Sequence, residues 1–272
     1  MIGVFDSGYG GLTILRQIRQ VLPQYDYMYL GDNARAPYGT RSFSVIYEYT
    51  LQAVRYIEAQ GCSLIILACN TASAKALRSI QQRDIDPAKV RVLGVIRPTA
   101  EAAPMRTRTG HIGVLATPGT VSSESYVLEL QHQNPDLVVT QQACPMWVPL
   151  IEAGEHKHEG ADYFVEKYIT MLLAQDPKIH TIILGCTHYP LLLPKIQEAV
   201  AGMGIDIMAQ GEIVALSLQD YLQRHTDIAQ RLAPKQEGTG SVRYLTTESA
   251  EKFAGSASVF LSEPIEAQHI EW

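Results

Sequence analysis

Short apolar runs alternate with amphipathic segments along the whole chain, and this alternation restricts the fold more than any other feature of the sequence. Residues 64–68 are continuously apolar, whereas residues 44–60 repeat apolar side chains at helical spacing and stop before Gly61. Apolar strands that alternate with amphipathic helices are typical of helices packed on a parallel sheet. The pattern therefore predicts the α/β class.

The alternation also gives approximate bounds for the elements. The predicted strands are residues 2–5, 27–30, 64–68, 90–95, 112–115, 137–140, 181–184, 205–208 and 242–246. The predicted helices are residues 44–60, 122–133, 161–174 and 213–224. No Pro-rich or Ser-rich linker divides the chain, so composition alone gives no domain boundary.

Composition and charge exclude several classes of protein. With 272 residues and 46% hydrophobic content, the chain can bury one large core or two modest ones. A net charge of -6 with scattered Lys and Arg argues against a nucleic-acid partner. The apolar runs are far shorter than the roughly 20 residues that span a bilayer. Met1 leads directly into the first strand without a leader pattern, so we expect a cytoplasmic protein.

A weak internal repeat divides the sequence where composition does not. Residues 2–10 (IGVFDSGYG) resemble residues 112–120 (IGVLATPGT), an offset of 112 minus 2, or 110. Residues 65–71 (IILACNT) resemble residues 182–188 (IILGCTH), with Cys69 and Cys186 at an offset of 186 minus 69, or 117. Either match alone is as well explained by the likeness of buried strands. Their common order and similar offsets favour two related halves.

The repeat places a cysteine after a strand in each half. The four cysteines have no Cys-x-x-Cys spacing, so we expect free thiols in a reducing compartment. A lone cysteine after an apolar run is usually a small buried hydrophobe, and we keep that interpretation for Cys62 and Cys144. Cys69 and Cys186 are instead each followed by polar residues in matching contexts. Ligands of parallel sheets bind at this position, and a helix N-terminus there favours the thiolate.

Two such thiols suit one kind of proton chemistry. If the two halves face each other, the thiols approach a ligand from opposite sides, and a planar carbanion can lose a proton on one face and regain it on the other. This chemistry needs no metal. No pyridoxal phosphate feature is evident, although a Schiff-base lysine stays open from sequence alone.

Polar residues near the strand ends are candidates to assist. Asp6 and His188 would each lie near one cysteine and orient its proton, although Asp6 could be a turn residue and His188 an ordinary loop histidine. Neutral donors at the strand ends could hold carboxylates, although each alone is more often a helix cap. These donors are Ser7, Asn70, Thr71, Thr117, Thr120 and Thr187.

Two other motifs carry weaker alternatives. Residues 7–11 (SGYGG) follow a strand as a phosphate loop would, but they lack the nucleotide-binding spacing, so we interpret them as a tight turn around a small ligand. Residues 156–158 (HKH) have no cysteine or carboxylate at ligand spacing, so we expect a solvated loop and no metal.

In its motifs the chain resembles the glutamate racemases of the aspartate/glutamate racemase superfamily nearly from end to end. The resemblance rests on residues 5–11 (FDSGYGG), 37–39 (PYG), 69–73 (CNTAS) and 185–192 (GCTHYPLL). It implies two flavodoxin-like α/β domains related by a pseudo-twofold axis, with the active site in the cleft between them. The implied domains are residues 1–97 with 208–272, and residues 98–207.

The resemblance also implies a function and its setting. It implies racemisation of L-glutamate to D-glutamate for cell-wall peptidoglycan, with no cofactor, in a protein that forms a homodimer. Because the chain starts at the first strand, we do not expect the activation by a cell-wall nucleotide precursor that extended family members show.

Individual roles follow from matching positions of the family motifs. Cys69 resembles the base that deprotonates the D-enantiomer and Cys186 the base that deprotonates the L-enantiomer, with Asp6 and His188 assisting. Glu152 matches a further acidic position that we assign to the substrate site. The other substrate-contacting positions implied are Ser7, Pro37, Tyr38, Gly39, Asn70, Thr71, Thr117, Thr120 and Thr187.

Three alternatives remain open at this stage. The first is an aspartate racemase, against which His188 speaks, because a glutamate usually follows the second Cys-Thr in those enzymes. The second is a hydrolase with one nucleophilic cysteine and His188 as its base. The third is a non-catalytic protein that binds a carboxylate.

Residues 208–212 (MAQGE) depart from the family pattern, and we expect this departure to alter local packing only.

Overall fold

Two parallel sheets, each packed with helices, form the framework of the protein. A computed structural model describes residues 1–235 and 237–272. The chain divides into two compact units, of which the first contains Met1–Val95 and Gly211–Trp272 and the second Ile96–Gln210. The predicted domain limits, after residue 97 and before residue 208, lie close to these bounds. That each unit is an independent domain stays a prediction.

The strands follow one another in chain order with helices between them. They are β1 (Ile2–Asp6), β2 (Tyr27–Gly31), β3 (Leu64–Leu67), β4 (Arg91–Gly94), β5 (His111–Ala116), β6 (Val138–Ala143), β7 (Thr181–Gly185), β8 (Asp206–Met208), β9 (Val242–Thr246) and β10 (Ala267–His269).

The helices are of very unequal length. They are α1 (Gly11–Val21), α2 (Phe43–Ala59), α3 (Asn70–Lys75), α4 (Leu77–Arg83), α5 (Ile96–Ala102), α6 (Pro118–Ser122), α7 (Ser125–Gln133), α8 (Trp147–Glu152), α9 (Glu159–Gln175), α10 (Leu193–Ala199), α11 (Gln210–Arg224), α12 (Thr226–Arg231) and α13 (Ala250–Leu261). Short 3₁₀ helices are formed by Asn33–Arg35, Ala103–Met105, Glu155–Lys157 and Tyr189–Leu192.

Four neighbouring strands in each sheet follow a common order. In the first unit the full strand order is β10-β9-β2-β1-β3-β4, and in the second it is β6-β5-β7-β8. All the pairings are parallel. If the strands of each repeat are counted from its start, both sheets contain the order 2-1-3-4, which is the flavodoxin-like order. The α/β class is confirmed, and the shared order is what two related halves would give.

Apolar burial explains why these segments form these elements. The helix α2 places Ile46, Val54 and Ile57 against Ile65 and Leu67 of β3, and all five side chains are fully buried. Full burial of such a side chain stabilises the fold by about 1.5–3 kcal/mol. The helix begins at the N-cap Ser42, whose hydroxyl accepts a hydrogen bond from the Val45 amide. The helical period of the sequence is therefore the period of the packed face.

The predicted helix over residues 122–133 is wrong at its start. The structure has two helices there, α6 and α7, separated at Glu124, which adopts a left-handed backbone with φ of 54°. The Ser123 hydroxyl donates to the Thr120 carbonyl and accepts from the Ser125 amide, so it closes the turn between them. Apolar spacing continues through such a turn, which is why the pattern did not reveal it.

The strand β10 was not predicted. It is a three-residue edge strand with the sequence Ala-Gln-His, which has no apolar run to mark it. Within the residues that the structure describes, no helix is long and apolar enough to cross a membrane.

Candidate active site

The first cysteine site lies at the carboxyl edge of the first sheet, between β1 and β3. Phe5 of β1 pairs with Leu67 of β3. Ser7 and Cys69 each follow two residues later, so they emerge side by side. In a sheet of order 2-1-3-4, the second strand lies on one side of the first strand and the third strand on the other. The carboxyl ends of the first and third strands therefore form the topological switch point, where ligands of such sheets bind. We call Asp6, Ser7, Cys69, Asn70 and Thr71 the Cys69 half-site.

A backbone amide and a hydroxyl group contact the Cys69 sulfur. Cys69 is the N-cap of α3, and its Sγ accepts a hydrogen bond from the Ala72 amide at 3.4 Å. The Ser7 hydroxyl lies 3.4 Å from the same sulfur. Asn70 and Thr71 form the first residues of α3 and are buried. Backbone amides at a helix N-terminus and hydroxyl groups are partners that can stabilise negative charge on a sulfur.

Asp6 is fixed beside this thiol by a close approach of α1. The side chain is buried, and its Oδ2 accepts a hydrogen bond from the Gly8 amide at 2.9 Å. A Cβ atom on Gly11 would lie 2.6 Å from the Asp6 Cβ and 3.0 Å from the Ala68 Cβ, so only glycine fits there. The glycine-rich segment is thus a turn that brings the start of α1 against the strand ends.

The three loop residues that we assigned to substrate contact differ in exposure. Pro37 is exposed and follows a cis peptide bond from Ala36, Gly39 is half-buried, and Tyr38 is buried. The Tyr38 hydroxyl donates to the carboxylate of Asp32, and burial raises the pKa of Tyr38 far above its usual range. Any substrate contact by Tyr38 would therefore use its backbone rather than its hydroxyl.

The second cysteine site occupies the equivalent place in the second sheet. Ala116 of β5 pairs with Gly185 of β7, and Thr117 and Cys186 follow directly. A Cβ atom on Gly185 would lie 3.2 Å from the Leu115 carbonyl oxygen and 3.0 Å from the Tyr126 ring. The glycine therefore lets β7 end tightly against its neighbours, just before the cysteine. We call Thr117, Thr120, Glu152, Cys186, Thr187 and His188 the Cys186 half-site.

Charged partners, rather than neutral donors alone, accompany the Cys186 sulfur. The Sγ atom lies 3.9 Å from Nδ1 of His188, and Nε2 of His188 lies 3.0 Å from Oε1 of Glu152. His188 is buried, whereas the Glu152 side chain is 29% exposed. Burial alone would lower the pKa of His188, but its hydrogen bonds to Cys186 and Glu152 and their negative charges raise it to about 10. The structure therefore places a positively charged imidazole directly beside the Cys186 sulfur.

The threonines of this half-site form a buried hydroxyl pair. Thr117 is the N-cap of α6 and accepts a hydrogen bond from the Thr120 amide. The two hydroxyl oxygens lie 3.1 Å apart, and Thr120 is fully buried. Thr187 is also buried, between the cysteine and the histidine in sequence.

The other two cysteines fit the interpretation given to them. Cys62 and Cys144 are buried, and burial raises the pKa of each thiol, that of Cys62 to about 11. A thiol in such surroundings stays protonated. Among residues 1–235 and 237–272, no group of three or more His, Cys, Asp or Glu side chains could hold a metal ion. The prediction of a solvated loop at residues 156–158 is wrong for His156, which is buried.

Sequence reasoning missed two features of these sites. It assigned Glu152 to the substrate site, whereas the Glu152 carboxylate lies against His188, a contact that joins residues 36 positions apart. It also missed Asp32, a buried carboxylate directly after β2. The signal was present, because Asp32 lies just past the predicted strand 27–30, as Asp6 lies just past the predicted strand 2–5.

Comparison with known proteins agrees with the geometry. Residues 12–211 match the family model described as Asp/Glu/Hydantoin racemase. A glutamate racemase from Paracoccus denitrificans is 40% identical over 275 residues, which cover 97% of each chain. The chain therefore belongs to the Asp/Glu/hydantoin racemase family.

Solved structures agree with this assignment. A glutamate racemase from Bacillus anthracis has a TM-score of 0.91 at 33% identity, with 100% of this chain and 97% of that chain covered. A glutamate racemase from Francisella tularensis in complex with D-glutamate has a TM-score of 0.85 at 30% identity, with 99% and 97% covered. Within the family, this chain is an amino-acid racemase that shares its fold with the glutamate racemases.

Proposed function

We propose that the protein interconverts L- and D-glutamate, with Cys69 and Cys186 as the two acid/base groups. The observation that carries the proposal is the equivalent placement of the two cysteines, each beside a hydroxyl residue at the switch point of a sheet with the same strand order. Relatives that are glutamate racemases, one of them solved in complex with D-glutamate, support glutamate as the substrate.

The reaction balances with two thiols and no other reactant. With L-glutamate, the Cys186 thiolate removes the α-proton and leaves a carbanion stabilised by the adjacent carboxylate. The Cys69 thiol then gives its proton to the opposite face of the α-carbon, which produces D-glutamate, a Cys69 thiolate and a Cys186 thiol. The reverse reaction exchanges the two roles.

The remaining residues of the half-sites prepare the thiols and hold the substrate. His188 stabilises the Cys186 thiolate and is itself held by Glu152. Asp6 orients the proton of Cys69. Amide and hydroxyl donors bind the substrate carboxylates, which need neutral or positive partners when desolvated. We assign this binding to Ser7, Pro37, Tyr38, Gly39, Asn70, Thr71, Thr117, Thr120 and Thr187.

The cellular setting follows from the same chemistry. Because both thiols must be reduced to transfer protons, we place the enzyme in the cytoplasm. There it would supply D-glutamate for peptidoglycan. We also propose that the protein forms a homodimer, which a mass measurement in solution would test.

The test follows the α-proton and the optical activity of one sample. The purified chain is incubated with L-glutamate in heavy water, and circular dichroism and the α-proton NMR signal are recorded, with L-aspartate in a parallel sample. We expect loss of dichroism together with loss of the α-proton for glutamate, and much slower change for aspartate. Faster change with aspartate would assign the other substrate, and retention of both signals with glutamate would refute the proposal.

A further inference from the structure

Asp32 is a buried carboxylate at the same sheet edge as the Cys69 half-site. It follows Gly31 of β2, which pairs with Asp6 of β1. The side chain is fully buried, and its backbone amide donates to the Asp6 carbonyl at 3.0 Å. A fully buried carboxylate is costly unless its charge is compensated, so its partners reveal what it stabilises.

Four side chains donate to this one carboxylate. Arg35 Nε donates to Oδ2 at 2.6 Å, and the Tyr38 hydroxyl donates to the same oxygen. Thr247 Oγ1 donates to Oδ1 at 2.9 Å, and Trp272 Nε1 donates to Oδ1 at 3.2 Å. Two of the donors belong to the loop of residues 32–39, and the other two come from distant parts of the sequence. The carboxylate therefore fastens this loop to the body of the unit.

The Trp272 ring reinforces the same connection. The Arg35 guanidinium carbon lies 4.4 Å from the centre of the Trp272 ring and 4.0 Å from the centre of the Tyr49 ring, so the cation is held between two aromatic groups. Its Nη1 donates to Gln52 Oε1 at 2.8 Å. Arg35 cannot leave this position without losing both stacking contacts and its ion pair.

The tied loop is the one that carries Pro37, Tyr38 and Gly39. Since the Tyr38 hydroxyl is bound to Asp32, the loop can offer a ligand its backbone groups, whose directions depend on the loop conformation. The Ala34 amide, which donates to Thr247 Oγ1 at 3.0 Å, adds a further tie. Backbone N–H groups bind a carboxylate tightly only when the loop that carries them is already held in the binding conformation.

We propose that Asp32 and Trp272 are positioning residues, which hold the loop of residues 32–39 in the conformation that binds the substrate carboxylate. The inference rests on the proposed function for the identity of the substrate. The contacts by which Asp32 and Trp272 hold the loop do not depend on that function. A loop that binds substrate and transition state alike affects KM more than kcat when it loosens.

The experiment combines steady-state kinetics with hydrogen exchange on the purified full chain. Trp272→Ala removes the ring and the donor, Trp272→Phe keeps a ring over Arg35 without the N–H, and Asp32→Asn removes the charge. Gln268→Ala is the matched control, because Gln268 is exposed on β10, close to Trp272 in sequence. All measurements are made well below the melting temperature of each variant.

We expect Trp272→Ala to raise the KM for glutamate about tenfold, with kcat within about twofold, and to speed amide exchange in residues 32–39. Trp272→Phe should recover part of both effects, and Gln268→Ala should show neither. If Asp32→Asn folds, it should raise KM and speed loop exchange more than Trp272→Ala does. If it does not fold, the comparison of Trp272→Phe with Trp272→Ala tests the inference.

Other outcomes overturn the inference. A lower melting temperature with unchanged KM and unchanged loop exchange would mean that Trp272 only stabilises the fold. Faster loop exchange with unchanged KM would mean that the loop does not position the substrate. If the wild-type chain does not racemise glutamate, the proposed function fails. Unchanged loop exchange in Trp272→Ala would separately refute the claim that Trp272 holds the loop of residues 32–39 in place.

Discussion

The two cysteine half-sites have the same place in their sheets but different electrostatic surroundings. At Cys69, the sulfur accepts from the Ala72 amide and lies beside the Ser7 hydroxyl, and the buried carboxylate of Asp6 lies at the same strand end. At Cys186, the sulfur lies beside His188, whose positive charge is maintained by Glu152. The same position in the two sheets therefore gives each sulfur different immediate partners, which are an amide and a hydroxyl at Cys69 and a histidine held by a carboxylate at Cys186.

This difference has a kinetic consequence. Because the two enantiomers have equal free energies, kcat/KM must be equal in both directions whatever a substitution does. The surroundings of each thiol can still decide which proton transfer limits the rate. Substrate isotope effects, measured separately for each enantiomer, are therefore the means of telling the half-sites apart.

The largest effect is expected from loss of either thiol. Cys69→Ser and Cys186→Ser should each lower kcat for racemisation by about 10³-fold or more, since a serine hydroxyl is a far weaker acid and each direction needs both groups. Cys62→Ala and Cys144→Ala are the controls and should retain near wild-type kcat. Normal turnover in either serine variant would remove that thiol from the mechanism.

Replacement of the histidine should have the next largest effect and should act on one half-site. His188→Asn removes the cation beside Cys186, and we expect kcat to fall by about 10²-fold. The isotope effect on α-deuterated L-glutamate should rise, because proton removal by Cys186 becomes slower. The isotope effect on α-deuterated D-glutamate should rise less, and an equal rise for both would contradict the assignment of His188 to Cys186 alone.

The pH dependence tests the link between His188 and Glu152. The pKa of His188 is raised from 6.5 to about 10, so the imidazole keeps its charge until the pH approaches 10. The stability gained from this charge is fully present below about pH 6.5 and is lost as the pH rises through about 10. Glu152→Gln removes one cause of that increase. We expect the alkaline limb of log kcat/KM to move to lower pH, with about a tenfold loss of activity at pH 9.

A second histidine pair in the same unit provides the control. Asp176→Asn changes a carboxylate that lies 2.6 Å from Nδ1 of His111. It should leave the alkaline limb where it is. The link between Glu152 and His188 is refuted if Glu152→Gln also leaves the limb in place.

The smallest effect is expected from removal of the Ser7 hydroxyl beside Cys69. Ser7→Ala removes a neutral hydroxyl that lies 3.4 Å from the Cys69 sulfur, a contact worth about 0.5–1.5 kcal/mol. We expect a decrease in kcat of about two- to tenfold. The isotope effect should rise mainly for D-glutamate, opposite to His188→Asn. A loss as large as that in His188→Asn would mean that the two half-sites do not differ as described.

Much of the framework follows from the sequence because burial dominates it. Residues 64–68 and 181–184 are recognisable as strands since both faces of a parallel strand are covered, and the strand-end rule then points to Cys69 and Cys186. The helix break at Glu124 was not predictable from apolar spacing, since it depends on one left-handed backbone conformation.

Contacts between distant segments explain the rest of what the sequence did not reveal. Glu152 meets His188 because α8 packs against the 3₁₀ helix Tyr189–Leu192, and Trp272 meets Asp32 from 240 positions away. No local pattern encodes such pairs. Asp32 itself was recognisable as a polar residue after a strand, but its burial and its four donors were not.

The position of deuterium after a short reaction tests the two-base account most directly. Unlabelled L-glutamate is converted in heavy water to a few per cent, and both enantiomers are then separated and analysed by mass. Two thiols predict that the D-glutamate formed carries one deuterium while the remaining L-glutamate carries almost none, because the thiol that protonates the new face has exchanged with solvent. Undeuterated D-glutamate would show that one group carries the same proton between the faces, and would contradict the account.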